Sequence, residues 1–434
     1  MTYTTSLLIL NQDKKVLAVR QDAHLALPEV NVEQGRVGIS VSRAVQEQLN
    51  LKIFFLVLSE AEAEGYPVLR LQSPDTPMPR GYVWADSAEL PLTERLQKVI
   101  EHVDLQSEAV GSFEWYERVE AWLKVRLIPL GYSVRALEQW NGRVGGVLLR
   151  IVTDGPVFWF KAVSDFNVRE MAIAELLSER SPAHFPRILA REPGWNGFLL
   201  EHIEGRELYE CDDLETWEQA AKLLADVQMD WTGRGDSLLR AGAADLRAGA
   251  MNARMPAFLD HIEEAMGRQP KTPPERLTRV DLDELGIALK ALCADVAAFE
   301  FAEGLANADF SPHNTLITAT GPVFIDWAEA CVSLPLIAGE YLWNRMVVES
   351  PQRVHWQAPI RAAYLSRWKE RYGSRQIEQA AQRLPAFSLL AVAMFYHERE
   401  SHGPSPYDSY LRSLARKLHQ AVARIYGERY ALQA

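Results

Sequence analysis

Cysteine is scarce: only Cys211, Cys293 and Cys331 occur in 434 residues. They are far apart and odd in number, so they build neither a disulfide framework nor a metal-ligand spacing, a usage that suits a reducing cytoplasm. Basic residues are outnumbered, 46 Lys and Arg against 58 Asp and Glu, which leaves a formal charge of -12. Such a chain lacks the basic face that bulk nucleic-acid binding needs. An acidic balance suits cationic substrates, but mild acidity is also ordinary for cytosolic proteins. Long apolar runs are missing as well; no segment nears the roughly 20 uninterrupted apolar residues of a membrane span. The opening MTYTTSLLILNQDKK has a short apolar run with neither a basic leader nor a small-residue cleavage site. It reads as a strand and not as a signal peptide. There are no internal repeats and no low-complexity segment. What is present is ordinary for a globular protein, 48% hydrophobic and 24% charged residues. The length exceeds one ordinary core, so two domains, or a two-lobed domain with an appendage, are expected in a cytoplasmic protein.

Hydrophobic periodicity divides the chain. Leu7 to Leu10 and Val16 to Val19 flank the polar stretch Asn11 to Lys15 and read as a hairpin. Val41, Val45 and Leu49 recur at helical spacing, Ile53 to Leu58 is a strand-length apolar run, and Thr93 to Val103 reads as a helix. The polar segment Asp104 to Ser112 is the expected domain boundary. Beyond it come an aromatic amphipathic helix (Trp115, Val119, Trp122, Leu123), strands at Val147 to Ile151 and Val157 to Val163, and a helix from about Asn167 to Ser178. Gly197 to His202 is strand-like. After Gly205 the chain is predominantly helical, interrupted by a short strand pair, Thr315 to Ile317 and Val323 to Ile325.

The stretch Asn307-Ala308-Asp309-Phe310-Ser311-Pro312-His313-Asn314, followed by Phe324-Ile325-Asp326-Trp327, carries the most chemistry. Phosphoryl transfer from ATP needs a carboxylate to take the acceptor's proton and hard oxygens to hold magnesium on the phosphates. Singly, Asp309 and Asn314 read as turn caps and Asp326 as a helix cap. Jointly, in this order and with strands on either side, they supply those parts. This stretch resembles the catalytic loop and metal-binding aspartate of the aminoglycoside phosphotransferase family, relatives of protein kinases. The resemblance covers roughly Phe113 to the C-terminus and implies that Asp309 is the catalytic base and that Asn314 and Asp326 ligate Mg²⁺. One departure is plain: the family's histidine and glycine before the base are Asn307 and Ala308 here. That histidine mainly braces the loop, which an amide can also do.

Such a fold needs a strand lysine for the phosphates and a glutamate on the following helix. Lys161, inside the apolar run Val157 to Val163, is the candidate, because an ammonium there requires a carboxylate or a ligand. Glu170 is its expected partner, sharing a helix face with Ile173 and Leu177, and Glu175 is the fallback. Alone, Lys161 reads as an edge-strand lysine that limits aggregation. Gly145 and Gly146 end a glycine-rich turn placed to cover ATP, although the turn does not follow the protein-kinase loop pattern. Glu201 and Ile203 lie on the stretch resembling the connector whose backbone receives adenine; a buried strand is a compatible reading. Glu329 and Glu340 follow Asp326 where an acceptor would bind, and a solvated helix face explains them as well. His202, His313, His355, His397 and His402 form no ligand spacing and read as surface or locally satisfied.

Residues 4 to 60 run strand, strand, a loop with Leu27-Pro28, Gly35, helix, strand, an order that resembles a Nudix hydrolase. In that family the helix bears several metal-binding glutamates. Here only Arg43 and Glu47 stand in matching places, with Ala44 and Gln48 at neighbouring acid positions, and one carboxylate cannot assemble the cluster. The fold expected is α+β: a two-lobed protein-kinase-like fold, with a strand-rich first lobe at 113-204 and a helical second lobe at 205-434. An α/β Nudix-like domain at 1-108, without hydrolase activity, precedes it. The function expected is ATP- and Mg²⁺-dependent transfer of phosphate to a hydroxyl of a small molecule, with no nucleic-acid or membrane partner. A catalytically impaired nucleotide-binding regulator and a Nudix-type hydrolase are the alternatives.

Overall fold

The computed structural model describes residues 2–21, 24–33, 37–56, 67–103, 109–141, 146–163, 169–299, 301, 303–399 and 407–430. Two compact units emerge: residues 1–171 with 187–202, and residues 172–186 with 203–434.

The first unit holds two larger sheets. In the N-terminal one, among the described residues, the strands follow the order His24–Ala26, Val16–Gln21, Leu8–Leu10, Val68–Leu71, Ile53–Phe55, and Tyr82–Ala85 also pairs with Val16–Gln21. Leu8–Leu10 runs parallel to Val68–Leu71 and antiparallel to Val16–Gln21, so the expected hairpin forms. The run Leu7 to Leu10 has no polar member because both faces of this sheet are covered. Leu7, Ile9, Leu17 and Leu69 pack with Val41, Val45 and Leu49 of the helix Val37–Leu49. Leu8, Leu10, Val16 and Phe54 point the other way, into a second cluster with Ile100 of the helix Glu94–His102. That helix begins where Thr93 accepts a hydrogen bond from the Leu96 N–H at 3.2 Å, which satisfies one of its orphan donors.

The second cluster does not stop at the polar segment 104–112. It continues through Trp115, Tyr116, Val119, Leu123 and Leu127 of the helix Trp115–Leu127 to Leu149, Phe160 and Leu199 of the second sheet. Both sheets therefore share one core. Polar groups cross the same seam. The Phe55 N–H donates to Gln139 Oε1 at 2.8 Å, and Gln72 Nε2 donates to Leu137 O at 2.9 Å. The buried Arg70 guanidinium reaches Phe113 O and, at 3.2 Å, Glu117.

The second sheet is antiparallel throughout, ordered Ile188–Glu192, Gly197–Glu201, Phe158–Val163, Gly146–Thr153, Val134–Gln139. The outer strands Ile188–Glu192 and Val134–Gln139 are too mixed in polarity to stand out by alternation.

The second unit is mainly helical. Its core gathers the helices Leu214–Asp230, Ala248–Gly267, Arg279–Ala297, Leu336–Glu349, Gln357–Tyr372, Ser374–Arg399 and Asp408–Tyr430. Two small sheets interrupt them. Arg206–Glu207, Thr315–Thr318 and Gly321–Phe324 form one, and Ala244–Asp245, Ala330–Ser333 and Gly304–Asn307 form the other. No helix among the described residues is long and apolar enough to cross a membrane. The architecture is mixed α+β, as expected.

Candidate active site

Residues 308–314 and 325–329 form the two loops between these small sheets. The strand Gly304–Asn307 is antiparallel to Ala330–Ser333, with Asn307 opposite Ala330, and the Ala308 N–H donates to Glu329 O at 3.0 Å. The chain then turns through Asp309 into Thr315–Thr318, which pairs with Gly321–Phe324 and brings Asp326 back. The Ile325 N–H donates to Asn314 O at 2.9 Å, which fastens the residue before Asp326 to Asn314. Asp326 itself is exposed, in the left-handed backbone region with φ 57°, a conformation uncommon outside glycine and the Asn/Asp class.

The loop is braced by amides. Asn307 is fully buried, and its Oδ1 accepts the Asp309 N–H at 2.7 Å. This is the bracing task the sequence assigned to the missing histidine. Asn307 Nδ2 finds no hydrogen-bond partner among the described residues. Asn314 Nδ2 donates to Asp309 O at 3.2 Å, and Asn314 Oδ1 accepts from Ser311 Oγ at 3.3 Å. Below the loop, Phe310 packs on Phe324 and Trp327, with ring centroids 5.7 Å apart in each pair, and Phe185 packs on Trp327 at 5.5 Å. Rigid aromatic packing of this kind holds a polar loop in one geometry.

His313 is not a free surface residue. Its Nδ1 meets Glu207, its Nε2 lies 3.3 Å from Glu349, and its ring lies 4.6 Å from that of Tyr209. Glu349 also accepts from Arg345 Nε at 2.6 Å.

Three tyrosines surround Asp309, a feature the sequence reading missed. The Tyr341 hydroxyl hydrogen-bonds the Asp309 side chain, and Tyr410 hydrogen-bonds Tyr341. Tyr396 lies against Tyr410, with centroids 5.1 Å apart. Burial first, and then the negative charge of Asp309, push all three phenols above their usual range. These residues come from three separate helices, so no spacing along the chain could have announced them. Glu329 contributes to the same field at Tyr396. Glu340 is buried instead in the helical core, where burial raises its pKa while Asn344, at 3.2 Å, and Arg361, at 3.8 Å, partner it.

In the first unit, Lys161 Nζ lies 2.5 Å from Glu170 Oε1, and the Glu170 side chain is only 3% exposed. The pairing choice between Glu170 and Glu175 thus falls on Glu170, and Ile173 and Leu177 on its helix are buried as their spacing required. Gly146 opens its strand with φ 151°, and a Cβ there would stand 2.5 Å from Ala162 O. Only glycine fits so close a backbone approach. Gly145 lies outside the described residues. Glu201 ends the strand Gly197–Glu201, its side chain paired with Arg187 at 2.9 Å on the surface, and Ile203 follows two residues later.

The donor set also bears on a divalent ion. No cluster of three or more His, Cys, Asp or Glu side chains able to hold a metal occurs among the described residues. One carboxylate and one amide oxygen fit an ion such as Mg²⁺, which is held by few protein oxygens and completed by phosphates and water.

A profile of the phosphotransferase enzyme family matches residues 124–383, more than half of the chain. No curated protein sequence matches. Among solved structures, Plasmodium vivax ethanolamine kinase shares the fold at 13% identity with a TM-score of 0.51, over 77% of this chain and 95% of that one. A choline/ethanolamine kinase family protein from Mesorhizobium loti is 14% identical with a TM-score of 0.49, over 73% of this chain and 97% of that one. An aminoglycoside phosphotransferase from Alicyclobacillus acidocaldarius is 17% identical with a TM-score of 0.41, over 69% and 93%. With the family match spanning the strand lysine, its glutamate and both loops, this chain belongs to the phosphotransferase enzyme family.

Proposed function

We propose that the protein transfers the γ-phosphate of ATP to a hydroxyl group of a small molecule, with Asp309 as the base. The supporting observation is the bracing of Asp309: its N–H is held by Asn307 and its carbonyl by Asn314, whose own carbonyl carries Ile325, next to Asp326. A base held at the peptide groups on both sides of its Cα loses little entropy when an acceptor arrives.

In this reading the acceptor hydroxyl gives its proton to the Asp309 carboxylate as its oxygen attacks the γ-phosphorus. The bond from that phosphorus to the bridging oxygen breaks, and ADP leaves with the electron pair. Asn314 and Asp326 would hold Mg²⁺, which supplies charge neutralisation on the phosphates. Lys161, oriented by Glu170, places its ammonium on phosphate oxygens. Gly146 lets the backbone approach the nucleotide, and the Glu201 to Ile203 backbone receives adenine. Tyr341, Tyr396 and Tyr410, with Glu329, face the acceptor.

The N-terminal sheet is read as a Nudix-like domain, 1-108, that has lost hydrolysis. Gln48, at a position where that family carries an acid, spends both ends of its amide on the Asn31 backbone, at 2.8 and 3.0 Å. Arg43 and Glu47 remain exposed on the same helix.

The test is acceptor-dependent ADP release by the full chain with MgATP over a panel of amino alcohols, sugars and antibiotics. Turnover with at least one acceptor is expected, and Asp326→Ala should abolish the thermal shift caused by MgATP. MgATP binding without turnover over the whole panel would favour the regulator reading, and turnover by Asp326→Ala at the parental rate would end the assignment.

A further inference from the structure

The helix Val37–Leu49 meets the second sheet main chain to main chain. Gly38, in its first turn, is buried, and a Cβ built there would stand 2.7 Å from the carbonyl carbons of both Trp140 and Asn141 and from Trp140 O. These are backbone atoms and cannot swing aside. Trp140 and Asn141 directly follow the strand Val134–Gln139, and both are tied to the next strand. The Trp140 N–H donates to Leu148 O at 2.9 Å, Asn141 Oδ1 accepts the Leu148 N–H at 2.7 Å, and Asn141 Nδ2 donates to Gly146 O at 3.0 Å. Leu148 stands in register opposite Lys161, and Gly146 opposite Val163.

A second line leaves the same residue. The Trp140 ring packs edge-on against Trp159, with centroids 5.0 Å apart, and Trp159 Nε1 donates to His202 Nδ1 at 2.9 Å. His202 stands between Glu201 and Ile203. The main-chain contact at Gly38 therefore borders both ends of the nucleotide site proposed above: the lysine strand and the connector. The Phe55–Gln139 and Gln72–Leu137 hydrogen bonds pin the adjoining strand from the same N-terminal sheet.

We propose that the N-terminal sheet, with the helix Val37–Leu49 packed on it, is a positioning element for the nucleotide, acting through the seating of Gly38 on the Trp140–Asn141 main chain. This rests on the phosphotransferase reading and adds to it a task for a region whose described residues form no metal-holding cluster. A contact held to within a few tenths of an ångström transmits any displacement, because packed interiors yield little.

The experiment compares three full-chain variants with the parent in MgATP affinity, acceptor KM and melting temperature. Gly38→Ala should raise the MgATP Kd by about tenfold, the scale of effect that sub-ångström misplacement of a binding group produces, with acceptor KM unchanged. Val45→Ala opens a cavity in the core cluster formed only by N-terminal residues and should lower the melting temperature with MgATP Kd unchanged. Gln72→Ala removes the hydrogen bond to Leu137 O together with one to Ile53 O within the N-terminal sheet; it should act like Gly38→Ala but more weakly, about twofold to threefold, and decides the matter if Gly38→Ala does not fold. Parental nucleotide affinity in Gly38→Ala, or in Gln72→Ala where Gly38→Ala does not fold, would overturn the proposal. So would equal weakening by Val45→Ala, which would trace the effect to lost stability. A parent that binds no MgATP would remove the phosphotransferase reading itself, and this proposal with it.

Discussion

Gln48 and Asn307 are both amides that hold a stretch of main chain, yet the two regions around them differ. Gln48 stands where the Nudix resemblance leads one to expect an acid, and both ends of its amide hold the Asn31 backbone. Asn307 takes the place of a histidine, and its amide holds the Asp309 N–H at 2.7 Å. A brace works through a neutral hydrogen bond, which an amide supplies. A cluster of carboxylates holds metal ions through their summed charge, to which an amide adds only a neutral oxygen.

The sharpest way to break this comparison is to remove the carboxylate of Asp309, the residue whose N–H Asn307 holds. Asp309→Ala should lower kcat by about 10² to 10⁴ while MgATP still raises the melting temperature; steady-state kinetics beside a thermal-shift titration reads both. Turnover close to the parent's would mean that the braced loop is only a turn.

Next in size is Lys161→Ala. It takes away the cation 2.5 Å from the buried Glu170 carboxylate and should cost about 3–5 kcal/mol of stability, as breaking a buried pair does. Urea unfolding measures the loss, and MgATP affinity should fall with it. Asn307→Ala removes one hydrogen bond to the base's own peptide and should reduce kcat by about threefold to tenfold. Asn307→His should restore the parental rate within that range, and a histidine variant slower than the alanine variant would contradict the bracing argument.

The smallest effect is expected at the other amide. Gln48→Glu puts a carboxylate against the Asn31 carbonyl and should cost about 1 kcal/mol in urea unfolding. It should bring no cleavage of nucleoside diphosphate compounds, since a pair of acids still falls short of a metal cluster. Hydrolysis by Gln48→Glu would show that the helix had lost less than its sequence suggests.

Several elements were legible in the chain because their causes are local. The hairpin at Leu8–Leu10 and Val16–Gln21, the helix capped by Thr93 and the strand bearing Lys161 follow from period and turn chemistry. The choice of Glu170 over Glu175 follows from helical geometry, which turns residues three and seven positions apart toward one face. The strands Val134–Gln139 and Ile188–Glu192 were missed, because strands at a sheet margin carry a weak alternation.

By itself the sequence determined the order of the chemical groups, Lys161, Glu170, Asp309, Asn314 and Asp326, together with the periods that build the elements carrying them. Tertiary structure alone decided that Tyr341, Tyr396 and Tyr410 meet at Asp309, that Asn307 turns its amide to the Asp309 N–H, and that one core runs from Leu8 through Trp115 to Leu199. The reason is physical. Period and propensity act over a turn or two of chain, whereas burial selects its partners without regard to their separation in sequence.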